Sequence, residues 1–129
     1  KYLYVLDYLN VNIGTTMIPT ATVRIKKSDK TFAESATGDG PVDACFRAIN
    51  RALKYKKEIK LEHFQVRSIS AGKGAQGEVT LRLQIDGNTY QSKGVSTDTI
   101  EASTLAYIKA LNQCELGNKT YTSKVIGGV

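Results

Sequence analysis

Two stretches of the chain alternate strictly between polar and apolar residues, a pattern typical of half-buried β-strands. They are Thr22–Lys26 and Val79–Ile85. Residues with strand preference precede each stretch, and a turn signal follows it, Ser28-Asp29-Lys30 in the first case and Asp86-Gly87 in the second. We therefore predict three strands in each half of the chain: Tyr2–Val11, Thr22–Lys26, Thr31–Ala36, Phe64–Ser70, Val79–Ile85 and Thr89–Ser92.

A helical pattern follows the strands in each half. Pro41 suits a first helical turn, because its missing N–H would be unpaired there, and Asp98-Thr99-Ile100-Glu101 can form a capping box for the second helix. The predicted apolar stripes are Val42, Cys45, Phe46, Ile49 and Leu53 in the first helix, and Ile100, Thr104, Leu111 and either Tyr107 or Ile108 in the second. Small residues recur every fourth position, which lets a helix lie close on a sheet: Ala44, Ala48 and Ala52, then Ala102, Ala106 and Ala110.

The chain also repeats itself. A shift of 58 residues superimposes Leu6–Leu53 on Phe64–Leu111 without a gap. The identical pairs are Gly14/Gly72, Thr22/Thr80, Arg24/Arg82, Thr31/Thr89, Ala44/Ala102, Ala48/Ala106, Ala52/Ala110 and Leu53/Leu111. The repeat predicts an α/β fold of the α+β type, with two βββα units related by a pseudo-twofold and each sheet covered by its own helix.

Composition narrows the class of protein. The chain has 129 residues, of which 41% are hydrophobic, enough for one folded domain, and no apolar run approaches the length of a membrane helix. Cys45 and Cys114 suggest reduced intracellular thiols, and His63 has no nearby partner for a triad or a zinc site. The chain starts without Met or a signal-peptide layout, so we expect a segment of a longer polypeptide.

One glycine-rich segment is a candidate binding site. Gly38-Asp39-Gly40-Pro41 leads directly into the first helix, whose backbone N–H groups attract anions such as carboxylates. Asp39 and Asp43 flank the same place and could accept hydrogen bonds from an ammonium group. These features suit a free amino acid, although a plain tight turn with a helix cap explains the same pattern.

Other candidate chemistry is weaker. No residues form a catalytic triad, a Cys-His pair or a metal-spaced cluster. The stretch Ala71–Gly77 lacks the ending of a phosphate loop and fits a turn between strands.

The charge of +6 and the Lys54–Lys60 run fit an RNA-binding sheet as well as a solvated surface. Aromatic side chains that could stack on bases, or pack in the core instead, are Tyr2, Tyr4, Tyr8, Phe64 and Tyr90.

Three blocks of sequence resemble a known module. They are Ile18–Ile25, the segment Ala36-Thr37-Gly38-Asp39-Gly40-Pro41-Val42-Asp43-Ala44, and Gly94–Ser103. In this order they resemble the C-terminal regulatory domain of 2-isopropylmalate synthases, a type of domain that citramalate synthases share. The resemblance covers about Leu6 to Asn112.

The resemblance implies the rest of the functional picture. The parent enzyme condenses acetyl-CoA with a 2-oxo acid in a metal-dependent TIM barrel N-terminal to this segment, so we expect no cofactor in this chain and a divalent metal in the barrel. The domain forms a homodimer and binds the end product at the dimer interface, L-leucine or, in citramalate synthases, L-isoleucine. The wording of the blocks favours leucine, and we expect a cytoplasmic protein without nucleic-acid or membrane partners.

The implied effector-binding residues fall in both halves. They are Gly38, Asp39, Gly40, Val42 and Asp43 at the first helix, the apolar-chain wall Leu61, Phe64 and Ser68, the small residue Ala75, and Thr97 and Asp98 at the second helix. The expected domain spans residues 1–114, with halves 1–60 and 61–114, and residues 115–129 form a tail.

Overall fold

The chain folds into two compact units, one ending at Lys56 and the other beginning at Lys57. The structure is a computed structural model, and it describes residues 3–70 and 75–117. Each unit is an antiparallel three-stranded meander followed by one helix. Unit 1 contains β1 (Val5–Gly14), β2 (Met17–Lys27), β3 (Lys30–Thr37) and α1 (Pro41–Leu53). Unit 2 contains β4 (Ile59–Ser70), β5 (Ala75–Ile85), β6 (Asn88–Ser96) and α2 (Thr99–Glu115). The predicted α+β class and the repeated βββα order are confirmed.

The core of unit 1 lies between its sheet and α1. The apolar positions of the alternating strand, Ala21, Val23 and Ile25, are fully buried, whereas Arg24 between them is exposed. The alanine row of α1 is buried as well, so the helix approaches β2 and β3 closely. A side chain at Gly38 would lie 2.7 Å from the Ala44 Cα, which shows how tightly the chain enters the helix.

The core of unit 2 repeats this arrangement with a longer helix. The apolar residues Val79, Leu81, Leu83 and Ile85 of β5 are fully buried under α2. The helix packs on β5 and β6 so closely that a Cβ at Gly94 would lie 2.8 Å from the Ala106 nitrogen. In α2 both alternatives for the stripe are correct, because Tyr107 and Ile108 are both buried.

The strand registers correct the gapless repeat alignment. From β2 onward the shift of 58 holds, since Val23 pairs with Glu34 as Leu81 pairs with Ser92. The first strands differ, because Val23 pairs with Leu9 whereas Leu81 pairs with Phe64. The counterpart of Phe64 is therefore Leu9 rather than Leu6. The proposed Gly14/Gly72 match involves a residue outside the described ranges. The connection between β4 and β5 is longer than that between β1 and β2, and together with the register irregularity between Asn12 and Gly14 in β1 it accounts for the shift.

The same registers place a β-bulge at matching positions in the two units. It lies between Leu6 and Tyr8 in β1 and between Leu61 and His63 in β4. Each bulge therefore contains an acidic residue, Asp7 in unit 1 and Glu62 in unit 2. The predicted first strands also had the wrong ends, since β1 continues to Gly14 and β4 begins at Ile59.

Some predictions concern residues outside the described ranges. These are Tyr2, most of the glycine-rich connection (71–74) and most of the expected tail, although Glu115 belongs to α2. Cys45 is a buried thiol and Cys114 a half-buried one. In the described part of the chain, neither helix has the length and apolar character that crossing a bilayer requires.

Candidate functional site

The start of α1 lacks a side-chain cap. Gly40 is the N-cap residue, in an extended conformation with φ −151° and ψ 178°, and it offers no side chain to the first-turn N–H groups. Pro41 has no N–H, so Val42 and Asp43 supply the donors at this end before the helical bond from the Ala44 N–H to the Gly40 carbonyl begins. No atom lies within 4 Å of where a Gly40 Cβ would be, so the tip is open to a ligand.

Asp43 ties the glycine loop to the helix. Its Oδ2 atom accepts a hydrogen bond of 2.8 Å from the Asp39 N–H and one of 2.9 Å from the Arg47 Nε. Both bonds end on the same oxygen, and a carboxylate can accept about four hydrogen bonds in total. Among the described residues nothing binds Oδ1, so Asp43 keeps acceptor capacity beside the exposed Asp39.

Nearby side chains cap the start of α2. The Asp98 carboxylate accepts from the Ile100 N–H at 2.8 Å, which confirms the predicted cap. In a capping box Glu101 would accept directly from the Asp98 N–H, but here Ser96 lies between them. The Asp98 N–H donates to the Ser96 hydroxyl, and that hydroxyl donates to the Glu101 carboxylate. Thr97 is exposed. The two helix starts thus differ in chemistry, since only that of α1 leaves its first-turn donors unclaimed by a side chain.

The predicted apolar wall lies on one face of β4. Leu61, Phe64 and Ser68 pair with Leu83, Leu81 and Gly77, so they share the face of the sheet that carries α2. The helix packs on β5 and β6, which leaves Leu61 47% and Phe64 37% exposed.

The sequence analysis missed a member of this face. Val66, which pairs with the buried Val79, is 48% exposed, and its alternation with Phe64 was the available signal. In unit 1, Leu6, Leu9 and Val11 hold the equivalent face of β1 and are half-buried.

Several predicted residues of unit 2 meet at one end of its sheet. Ser68 pairs with Gly77, and Gly77 pairs with Ser96, which precedes α2 by a short loop. A Cβ at Gly77 would lie 2.7 Å from a methyl group of Thr99, so the helix start covers this end. Ala75 begins β5 at the same end of the sheet. Leu61 and Phe64 lie farther along β4, and residues 38–43 form their own cluster in unit 1.

The aromatic side chains considered for stacking RNA bases lie in different environments. Tyr4 and Tyr90 are buried at 7% and 3% exposure, and Phe64 lies on the helix side of its sheet. Tyr8 faces the opposite side of its own sheet, where the Arg24 guanidinium lies 5.0 Å from its ring centre. Within the described residues, neither unit therefore exposes two of these rings on one face, as a sheet that stacks successive bases does.

A polar cluster closes unit 2 where α2 ends. The Lys57 ammonium lies 3.0 Å from the Glu115 carboxylate and 3.7 Å from the Cys114 sulfur. The bond to Glu115 is the main cause that raises the pKa of Lys57. Burial, followed by a hydrogen bond with Cys114, raises the pKa of Tyr90 to about 12. The ion pair joins the start of unit 2 to the end of its helix, which is a structural role.

The described residues contain no group of three His, Cys, Asp or Glu side chains that could hold a metal ion. The domain therefore combines a duplicated βββα module, an open helix start and an apolar face that is exposed on β4 and half-buried on β1. These features define a binding module, suited to a small ligand and to a second protein surface.

Comparison with known protein families agrees with this description of a binding module. The family model of the LeuA allosteric (dimerisation) domain matches residues 2–115, and the chain belongs to this family. It is similar to the 2-isopropylmalate synthase of Ruminiclostridium cellulolyticum, with 43% identity over 111 residues, 86% of this chain and 22% of that protein. The 2-isopropylmalate synthase of Sediminispirochaeta smaragdinae is 44% identical over 111 residues, again 86% of this chain and 22% of that protein. That of Halothermothrix orenii is 43% identical over 111 residues, 85% of this chain and 21% of that protein.

The chain therefore spans about a fifth of the length of these relatives. It is a regulatory dimerisation domain of the 2-isopropylmalate synthase family.

Proposed function

We propose that this domain binds L-leucine between two copies of the chain and thereby inhibits a condensing enzyme to which it is attached. The reaction is the condensation of acetyl-CoA with 2-oxoisovalerate in an N-terminal, metal-dependent TIM barrel. The observation that carries the proposal is the uncapped start of α1, which combines N–H donors with a neighbouring carboxylate. Family membership supplies the regulatory context.

The polar end of an amino acid matches the chemistry of this helix start. Its carboxylate would accept hydrogen bonds from the N–H groups of Val42 and Asp43, where the helix dipole favours negative charge. Its ammonium group would donate to Asp43 Oδ1 and to the Asp39 carboxylate. Gly40 allows this approach because it places no atom in front of the donors. By contrast, the Asp98 carboxylate already occupies the start of α2, so α1 is the stronger candidate for binding the ligand's carboxylate.

An exposed apolar face supports the contribution of a second copy. Leu61, Phe64 and Val66 each leave more than a third of their surface in water, and this is the kind of face that dimerisation or an aliphatic ligand covers. Phe64 provides no hydroxyl group, so it contributes apolar contact only. Ser68 and Ala75 are small, and they leave room at the end of the sheet where α2 begins.

The ligand would act by coupling. An effector held by two protomers favours the arrangement that it binds better, and differential binding of ~1–3 kcal/mol changes activity by about 5- to 150-fold. Leucine and isoleucine differ in the position of one methyl group, which a tight pocket discriminates by about 1–3 kcal/mol. The relatives are 2-isopropylmalate synthases, so the isoleucine-binding citramalate alternative is not favoured.

Calorimetric titration of the 129-residue chain with leucine, isoleucine and valine tests the proposal. We expect heat with leucine, weaker heat with the other two, and a dimer in analytical ultracentrifugation. A matched variant, Phe64→Ser, should bind leucine more weakly because it removes apolar contact from an exposed position. A chain that stays monomeric and gives no heat with any of the three amino acids would contradict the proposal.

A further inference from the structure

The outer face of the sheet in unit 2, which points away from α2, contains a polar basin. A cavity of ≈ 320 Å³ lies over this face. We define the basin by His63 and by its charged members, Arg67, Glu78, Arg82 and Lys93. None of them belongs to the proposed effector site, because the residues of that site in unit 2 lie on the opposite face of the sheet or at the start of α2.

The strand registers fix the layout of the basin. His63, Arg82 and Gln91 form one row across the three strands, and Thr80 lies next to Lys93 in the following row. Arg82 and Lys93 are therefore diagonal neighbours, with backbones about 7 Å apart, close enough for both long side chains to reach one ligand. Within the basin, the Glu78 carboxylate lies 3.1 Å from the Arg67 guanidinium, so these two charges offset each other.

The other repeat shows what is special about this face. Arg24 of unit 1 holds the position of Arg82, but Asp7 neutralises it with a 2.7 Å bond and the ring of Tyr8 stacks against it. In unit 2, His63 replaces the tyrosine. Within residues 3–70 and 75–117, Arg82 pairs with no carboxylate, and its Nε atom donates only to the Gln91 side chain at 3.3 Å.

Three further basin positions change charge between the repeats, and one of them is acidic, since Glu78 stands where unit 1 has Thr20. Lys93 stands where unit 1 has Ser35, according to the shared register of β2–β3 and β5–β6. Arg67 stands where unit 1 has Asn12. Arg67 brings its own acidic partner, Glu78, so the clearest difference is that Lys93 adds a cation beside Arg82, which lacks the ion pair that Arg24 forms with Asp7. After Glu78 compensates Arg67, the charges of Arg82 and Lys93 remain without an acidic partner in the part of the chain that the structure describes.

We propose that this basin binds a compact, multiply charged anion such as a phosphate-bearing metabolite, at a site separate from the amino-acid site. A guanidinium group presents a planar fork of donors that matches phosphate oxygens, and Lys93 adds a point charge from the neighbouring row. The Thr80 hydroxyl lies between them and adds a donor of the right size. The concave shape and the absence of an open aromatic ring in the described part of this face favour a small anion over a nucleic acid.

Titration with inorganic pyrophosphate, followed by amide chemical shifts of the 129-residue chain, tests this proposal. We expect saturable shifts centred on β5 and β6, weakened by added salt because the attraction is electrostatic. Acetate, with a single charge, should produce much smaller shifts. Equal responses to both anions, or no shift in these strands at low salt, would overturn the proposal.

The internal repeat provides a matched control. Arg82→Gln should weaken pyrophosphate binding by about tenfold or more, because it removes charge-assisted hydrogen bonds. Arg24→Gln removes the same charge from unit 1 and should leave binding unchanged. If both variants weaken binding equally, the attraction comes from the net charge of the chain, and the basin is not a site. Thermal unfolding of the two variants verifies that they remain folded. Binding of single-stranded RNA but not of pyrophosphate would also contradict the assignment.

Discussion

Replacement of Gly40 by aspartate probes the proposed amino-acid site directly. Gly40 has an extended conformation that any residue adopts, and its Cβ position is empty to 4 Å. Aspartate is also a preferred N-cap residue, so Gly40→Asp should fold normally and gain a few tenths of a kcal/mol in the free energy of unfolding. The variant therefore tests the binding chemistry without damaging the fold.

The new carboxylate would occupy the donors that the ligand's carboxylate needs. Two like charges about 5 Å apart repel each other by ~1–3 kcal/mol for effective dielectric constants between those of water and a protein surface. We therefore expect the leucine affinity to fall by about 5- to 150-fold. Calorimetry of the 129-residue chain measures this change, and thermal unfolding verifies the fold.

The isosteric variant Gly40→Asn separates charge from occupancy. Asparagine caps a helix in the same way but is neutral, so it should weaken leucine binding less than aspartate does. An aspartate variant that melts like the parent protein and binds leucine with unchanged affinity would refute the position assigned to the ligand. The start of α2 would then become the candidate for binding the ligand's carboxylate, despite its cap by Asp98.

Two further predictions concern stability. Gly94→Ala should lower the free energy of unfolding by ~1–3 kcal/mol, because the new Cβ would lie 2.8 Å from the Ala106 nitrogen and the helix would have to move. Gly40→Ala is its control, because no atom lies within 4 Å of a Cβ at that position. Equal melting temperatures for the two variants would show that α2 accommodates a methyl group at position 94 without moving. Burial raises the pKa of Tyr90 to about 12 from 10.0, so the fold favours the neutral phenol; the associated stability is complete below pH 10 and is lost as the pH rises towards 12. Tyr90→Phe should therefore flatten the loss of stability in alkaline unfolding curves, and a curve that falls as steeply as that of the parent protein would contradict this account.

Local patterns in the sequence predicted most of the fold. Strict alternation in Thr22–Lys26 and Val79–Ile85 identifies strands with one buried face, because successive side chains point to opposite sides of a sheet. The alanine rows of α1 and α2 predicted close packing of a helix on each sheet, and Asp98 was correctly identified as a cap. These features depend only on residues near each other in the chain, so a single sequence contains them.

Long-range pairing decided what the sequence could not. The gapless repeat alignment matched Leu6 with Phe64, although the strand registers match Leu9 with Phe64. A gapless comparison cannot allow for hairpins that differ in length between the two repeats. Likewise, the spacing of Phe64 and Val66 shows that they share a face of β4. Their exposure depends on which strands α2 covers, and the helix packs on β5 and β6. The cation excess around Arg82 also emerges only from the register, since Arg82 and Lys93 come from different strands.

The amino-acid sequence by itself determined two βββα repeats, their buried strand faces and the glycine-rich entry to α1, because periodicity and capping are local properties. Tertiary structure alone decided which apolar residues of β4 remain in water and which cations gather on the outer face of unit 2. Those outcomes depend on strand register and on the placement of each helix over its sheet, and residues distant in the chain fix both.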